Sequence, residues 1–175
     1  HRSVSRGLGD VYKRQVVYGH NGVCRITKIG PLETVAKDKD RLYYTLIPFG
    51  ETGSTVFAPV DSQKIPMRKI ISKEEALLLI EEMKEIAVLG ITEERKREET
   101  YKNALKTCDC KKLVSLIKTI YCRKQEREAQ GKHLTAADSR YFRTAEHVLY
   151  DELAAALEIE SGKVKDFISE KLGEE

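Results

Sequence analysis

VVYGHNGVCRITKI, Val16 to Ile29, decides the fold class. Val16 and Val17 are β-branched and Tyr18 extends the run, a composition that suits a pleated, half-buried strand. Gly19-His20-Asn21-Gly22 supplies turn chemistry, with Gly22 free to take a positive φ. VCRITKI then resumes an extended pattern. Val23, Arg25 and Thr27 fall on one face and Cys24, Ile26 and Lys28 on the other. Neither face is cleanly apolar, so the buried side stays unassigned.

Downstream, Gly30-Pro31 ends this strand and a polar loop follows, with Lys37-Asp38-Lys39-Asp40 at its charged end. RLYYTLIPF (Arg41–Phe49) reads as the next strand and Gly50-Glu51-Thr52-Gly53 as a turn. STVFAPV (Ser54–Val60) is a short strand stopped near Pro59, and IPMRKI (Ile65–Ile70) closes the unit. Short strands with no helices between them predict a small curled antiparallel sheet or barrel over residues 16–71. Pro59 and Pro66 belong at edges or strand ends. An exposed edge of such a sheet can add a partner's strand. The alternative is a sheet that merely caps the helices.

Upstream, SRGLGDVYKRQ (Ser5–Gln15) back-translates without forcing to a transposon-end sequencing adaptor read in frame. Residues 1–15 are therefore read as an adaptor-derived artefact in place of a native start. GLGD (Gly7–Asp10) then has no phosphate-loop meaning.

From residue 72 to 175 the pattern is helical throughout. Ser72-Lys73-Glu74-Glu75 is a capping box. The helix after it carries Leu77, Ile80 and Lys84 on one face, with Leu78 and Met83 beside them, and is expected to run to Leu89 and stop at Gly90. Thr92, followed by Glu93 and Glu94, offers the next N-cap. Tyr101, Ala104 and Leu105 form that second helix's apolar stripe. Asp109 caps a third helix, with Leu113, Leu116, Ile117, Ile120 and Tyr121 inward, and Gly131 ends it. Thr135 and Asp138 open a fourth, with Tyr141, Phe142, Ala145, Val148, Leu149 and Leu153 buried. Ser161 caps a last short helix with Val164, Phe167, Ile168 and Leu172 inward. About five amphipathic helices joined by short turns make an all-α bundle.

A net charge of +3 conceals an asymmetry. Residues 95–147 hold fourteen Lys and Arg against seven Asp and Glu, whereas residues 148–175 hold three against eight. A basic middle favours a polyanionic partner. The candidate DNA-contacting residues are Arg95, Lys96, Arg97, Lys102, Lys106, Lys118, Arg123, Lys124, Arg127 and Arg140. Such side chains would neutralise phosphates and give a salt-dependent affinity without reading sequence. The competing reading of a Lys-rich helix is an ordinary solvated face.

Cys24, Cys108, Cys110 and Cys122 suit a reduced, cytoplasmic protein better than a disulfide framework. Cys108 and Cys110 are too close to match a common zinc pattern and no His is near them, so no metal or other cofactor is expected. No nucleophile–base pair, paired carboxylates or phosphate loop marks an enzyme. His20 and Asp61 are isolated, and Asp151-Glu152 falls on an ordinary helix face. No apolar run is long enough for a membrane span.

Taken in order, VVYGHNGVCRITKI, TVFAPVDSQKIPMRKIIS and KEEALLLIEEM resemble the CarD family of bacterial transcription regulators. TYKNALKT and KKLVSLIKTIYCRKQEREAQGKHLTAADSRYFRTAEHVLYDELA resemble that family's C-terminal domain. No single motif is diagnostic; the ordered set, spanning Val16 to Leu172, carries the resemblance. It implies a Tudor- or SH3-like module, shared with transcription-repair coupling factors, that binds the RNA polymerase β subunit. It implies a helical domain that contacts promoter DNA near the −10 element and stabilises the open complex or otherwise tunes initiation, without enzymatic activity. The expected polymerase contacts are Leu32, Val56, Phe57 and Pro59, because the family's arginines in those regions are not matched. Many members carry a Trp wedge at the start of the second C-terminal helix; the aligned residue here is Arg97. An arginine can enter a narrow minor groove by charge where an apolar wedge would unstack bases.

The expected architecture is thus α+β in two domains, 16–71 and 72–175. A monomer is expected, with a protein–protein adaptor lacking DNA contact as the alternative function.

Overall fold

The computed structural model describes residues 14–34, 39–50 and 53–173. Two compact units divide between Ile70 and Ile71. Among the described residues the first unit has five strands: β1 (Gln15–Tyr18), β2 (Val23–Gly30), β3 (Tyr43–Pro48), β4 (Val56–Pro59) and β5 (Met67–Lys69). All pairings are antiparallel, in the order β4-β3-β2-β1-β5. The chain meanders through β1 to β4, and β5 returns to pair with β1. Of the adaptor-like leader, residues 1–13 lie outside the described residues. Gln15 pairs with Arg25, and the Arg14 carbonyl accepts the Ile26 amide at 3.0 Å, so the end of the leader serves as strand. Residues 37–38 of the charged loop and 51–52 of the second turn also lie outside the described residues.

Gly19 and Gly22 both take positive φ, +53° and +68°. The Gly19 amide donates to the Pro66 carbonyl at 3.0 Å, and a Cβ on Gly19 would meet Ile65 Cγ2 at 2.5 Å. The turn therefore needs glycine at Gly19 for space as well as conformation.

The irregular alternation of VCRITKI has two physical causes. Cys24 and Ile26 join Val16, Tyr18, Leu46 and Ala58 in one apolar cluster, yet Val17 and Val23, opposite each other on the other face, are also buried. A β-bulge then interrupts the β2–β3 register between Ile26 and Lys28. The extra residue returns Ile29 to the side of Ile26, where it packs on the same cluster. Thr27 Oγ1 donates to the Thr45 carbonyl across this irregularity.

Among the described residues the second unit has five α-helices: α1 (Lys73–Glu82), α2 (Arg97–Lys106), α3 (Cys110–Ala129), α4 (Ala136–Leu157) and α5 (Val164–Leu172). Both capping boxes form, Ser72 with Glu75 and Thr135 with Asp138, and Asp109 accepts the Lys111 amide at the start of α3. Fully buried Leu113, Leu116 and Ile120 of α3 and Leu149 and Leu153 of α4 make the spine of the core. Tyr101, Ala104 and Leu105 of α2 are buried against it.

Five expectations are corrected. Helix α1 ends at Glu82, not Leu89. The Lys118 ammonium from α3 donates to the carbonyls of Met83, Lys84 and Ile86, occupying acceptors that further helical turns would have used. The chain passes through a turn over residues 83–85 into an irregular segment, the Leu89 amide donates to Thr119 Oγ1 at 2.8 Å, and Ile86, Leu89 and Ile91 pack on the core. The α1 face is accordingly Ala76, Leu79 and Ile80, with Leu78 54% exposed. Thr92 does not cap α2; a 3-10 turn over Glu94–Lys96 leads directly into Arg97. Ser161 likewise caps nothing, its hydroxyl donating to Asp151, and Tyr121 is 52% exposed. No helix among the described residues is long and apolar enough to cross a membrane.

Replacing Lys118 with Met preserves the stem and deletes the donors to three carbonyls. A hydrogen bond to a charged group contributes about 1.5–3 kcal/mol net; three carbonyls that share one ammonium, one of them at an exposed site, contribute together about as much as one such bond. Lys118→Met is therefore expected to lower stability by about 2–3 kcal/mol, read as an earlier urea midpoint in far-UV circular dichroism; an unchanged midpoint would refute the capping role.

Candidate functional site

Each unit carries one of the surfaces nominated from sequence. On the sheet, among the described residues, β4 pairs only with β3 and forms an edge. Val56 and Ala58 face the sheet's own core, so Val56 is committed to packing. Phe57 points the other way and is 49% exposed, a large apolar side chain in solvent. Leu32, in the turn after β2, and Pro59 are half-buried. The exposed aromatic and the free strand edge thus come together on β4, while Val56 supports them from beneath. Cys24 is fully buried behind them, and burial pushes its thiol up to about 12, so it is inert.

The helical unit spends most of its nominated cations internally. Arg123 is 13% exposed and donates through Nε to Asp138 Oδ2 at 2.9 Å, while Nη2 and Nη1 straddle the Glu94 carboxylate at 2.6 and 3.1 Å. Arg97 donates to the same Glu94 at 2.9 Å and to Tyr101 Oη at 3.4 Å. Tyr101 in turn donates to Asp138 Oδ1 at 3.3 Å, joining α2, α3 and α4 in one network. Arg95 and Lys96 both pair with Glu93, Arg140 pairs with Glu98, Arg127 donates to the His133 carbonyl, and Lys118 caps α1. Lys124 lies 3.9 Å from Glu128. Lys102 and Lys106 are exposed on α2 and have no ionic partner among the described residues. They sit one helical turn apart, so their ammonium groups share a face.

Sequence reading assigned Arg97 and Arg123 to solvent-side contact and missed that Asp138 and Glu94 would claim them. The capping box marked Asp138 as an N3 residue; nothing in the sequence marked it as 3% exposed. Glu152 was placed on an ordinary face but is fully buried. Its Oε2 accepts the Ile71 amide at 3.1 Å and its Oε1 the Cys110 thiol at 3.2 Å. Its spacing from Val148 and Leu149 puts it in phase with the buried stripe, a signal available in the sequence. Cys108 turns the chain between α2 and α3 at φ +53°, and Cys110 opens α3. Among the described residues no group of three His, Cys, Asp or Glu could hold a metal ion, and no buried side-chain nitrogen or oxygen lacks a partner.

The electrostatics follow from these pairings. Burial alone would raise the Asp138 carboxyl, but hydrogen bonds from Thr135 and the Arg123 guanidinium outweigh it and hold the group below the usual aspartate range. Hydrogen bonding from Arg123 likewise lowers Glu94. Burial raises the Tyr101 phenol, which stays protonated and serves as a donor.

The model of the CarD-like/TRCF RID domain family matches residues 13–71. That span ends one residue past the first compact unit and leaves the rest of the helical unit unmatched. No curated protein matches the chain.

Because the folded-state pKa of Asp138 is depressed, its stabilising contribution is complete above the unfolded aspartate value and is lost as pH falls through the native one. The helical unit is expected to lose stability below about pH 4. Asp138→Asn, which leaves Arg123 without its buried counter-charge, is expected to cost about 2–4 kcal/mol at neutral pH and to flatten that acid limb. Urea midpoints across pH measure both effects.

Proposed function

We propose that the chain is a bacterial transcription regulator, because residues 13–71 match the model of the CarD-like/TRCF RID domain family, which implies a module that interacts with RNA polymerase. The module's family is not an enzyme family. In this reading the module docks on the polymerase β subunit in the cytoplasm, and the helical unit rests on promoter DNA near the −10 element, where it alters the lifetime of the open complex.

The family match of the sheet carries the proposal; the geometry supplies the means. An edge strand accepts backbone hydrogen bonds from an extended segment of a partner, and an aromatic beside it can fill a pocket. Phe57 on β4 has both the exposure and the position for this role. For DNA, the nominated cations with neither an ionic nor a carbonyl partner among the described residues are Lys102 and Lys106; Lys112, Lys132 and Arg143 are likewise exposed without an ion pair there. Two lysines bind phosphates weakly, but a weak contact becomes effective when the protein is held beside its target at high local concentration.

One observation favours the alternative, an adaptor with no direct DNA contact: Arg95, Lys96, Arg97, Arg123 and Arg140 are all in ion pairs within the unit. The two readings separate experimentally. Phe57→Ala is expected to weaken capture by purified polymerase roughly thirtyfold, as loss of an aromatic anchor does, without changing the fold by circular dichroism; unchanged capture would remove Phe57 from the interface. The double change Lys102→Glu and Lys106→Glu is expected to shorten promoter open-complex lifetime and to flatten the log–log salt dependence of DNA affinity by about 2. A DNA affinity that is absent or salt-independent in the unaltered protein selects the adaptor.

A further inference from the structure

Two carboxylates surround the Arg123 guanidinium and they are not alike. Asp138 is 3% exposed, fixed by the Thr135 capping box and by Tyr101, and holds the Nε edge. Glu94 is 65% exposed, stands on a 3-10 turn, and occupies the outward fork formed by both Nη atoms of Arg123 together with Nε of Arg97. The fork opens into a concavity of about 210 Å³. A planar guanidinium fork with two parallel donors suits phosphate as well as carboxylate.

We propose that the Arg97–Arg123 fork is a seat for a nucleic-acid phosphate and that Glu94 is its built-in occupant, displaced when DNA arrives. The inference rests on the DNA-contacting reading above and deepens it. Glu94 is held by three N–H donors from two largely buried arginines, so its release is offset only when the incoming phosphate takes up the same three donors. The guanidiniums keep their places when it leaves, because Asp138 and Tyr101 still hold them. Exchange of one anion for another nearly cancels, which keeps the affinity for free duplex low and reserves binding for a protein already tethered at a promoter. Glu94 is thus a specificity-determining residue against promiscuous DNA binding.

Arg123 itself is a poor probe, since its loss strands Asp138. Glu94→Gln is the informative variant: it keeps the size and removes the charge. It is expected to bind a short duplex roughly tenfold tighter at about 0.1 M salt, because the same phosphate is seated without displacing a carboxylate. Glu98→Gln is the control. Glu98 is 60% exposed and lines the same concavity but pairs with Arg140, so the identical charge change there leaves the fork covered. Equal tightening by both variants reduces the effect to net charge and overturns the proposal. Unaltered protein that binds DNA, with Glu94→Gln no tighter, also overturns it and leaves the proposed function standing. If neither protein binds duplex in a salt-dependent way, the DNA half of the proposed function falls as well. Inorganic phosphate, titrated calorimetrically at constant ionic strength, distinguishes the source. Stronger competition with DNA in Glu94→Gln than in the unaltered protein supports the seat. Phosphate binding without any gain for DNA assigns it to a free anion and overturns the nucleic-acid assignment.

Discussion

Asp138 dictates the layout of the helical unit. A carboxylate removed from water is tolerable only with a cation and hydrogen bonds around it. Arg123 supplies the cation, Tyr101 a hydroxyl, and Thr135 its backbone amide. Those partners come from α2, α3 and the start of α4, so one buried charge fixes three helices relative to each other. The 3-10 turn before α2 is then drawn in through Glu94. Two of the fourteen Lys and Arg of residues 95–147, Arg97 and Arg123, are taken up in this construction, so the span's composition overstates its exposed arginine.

Local signals in the sequence were reliable where a backbone rule decided them. The capping boxes at Ser72 and Thr135, the Asp109 cap and the positive φ of Gly22 depend on neighbours in the chain, and all are present. The α+β class and the strand order of events along the chain were readable for the same reason. What failed was decided at long range. The end of α1 is set by Lys118, more than thirty residues away, so Gly90 looked like the stop. The bulge at Thr27 inverts the inward face midway along β2, so a strict alternation could not assign it. The division of arginines between surface and core depends on which carboxylates lie across the bundle, and sequence spacing carries no trace of the Glu94–Arg123 or Arg123–Asp138 pairs.

The two units differ in how their candidate surfaces are built. The sheet offers backbone groups along an edge and one exposed aromatic, features that recognise shape and a partner strand. The helical unit offers charge, which acts at longer range but discriminates poorly. On the proposed reading, selectivity belongs to the first contact and the second needs only to be present when the first is made.

The β4 edge has one more consequence. An unpaired strand invites a second copy of the same chain as readily as an intended partner, and proteins that keep such an edge must keep it from growing into stacked sheets. Here the strand spans only Val56–Pro59, and its last residue has no amide hydrogen to offer. A ladder started there would run out after a few rungs. Brevity and a terminal proline thus leave the edge open for docking while making it a poor template for fibrils.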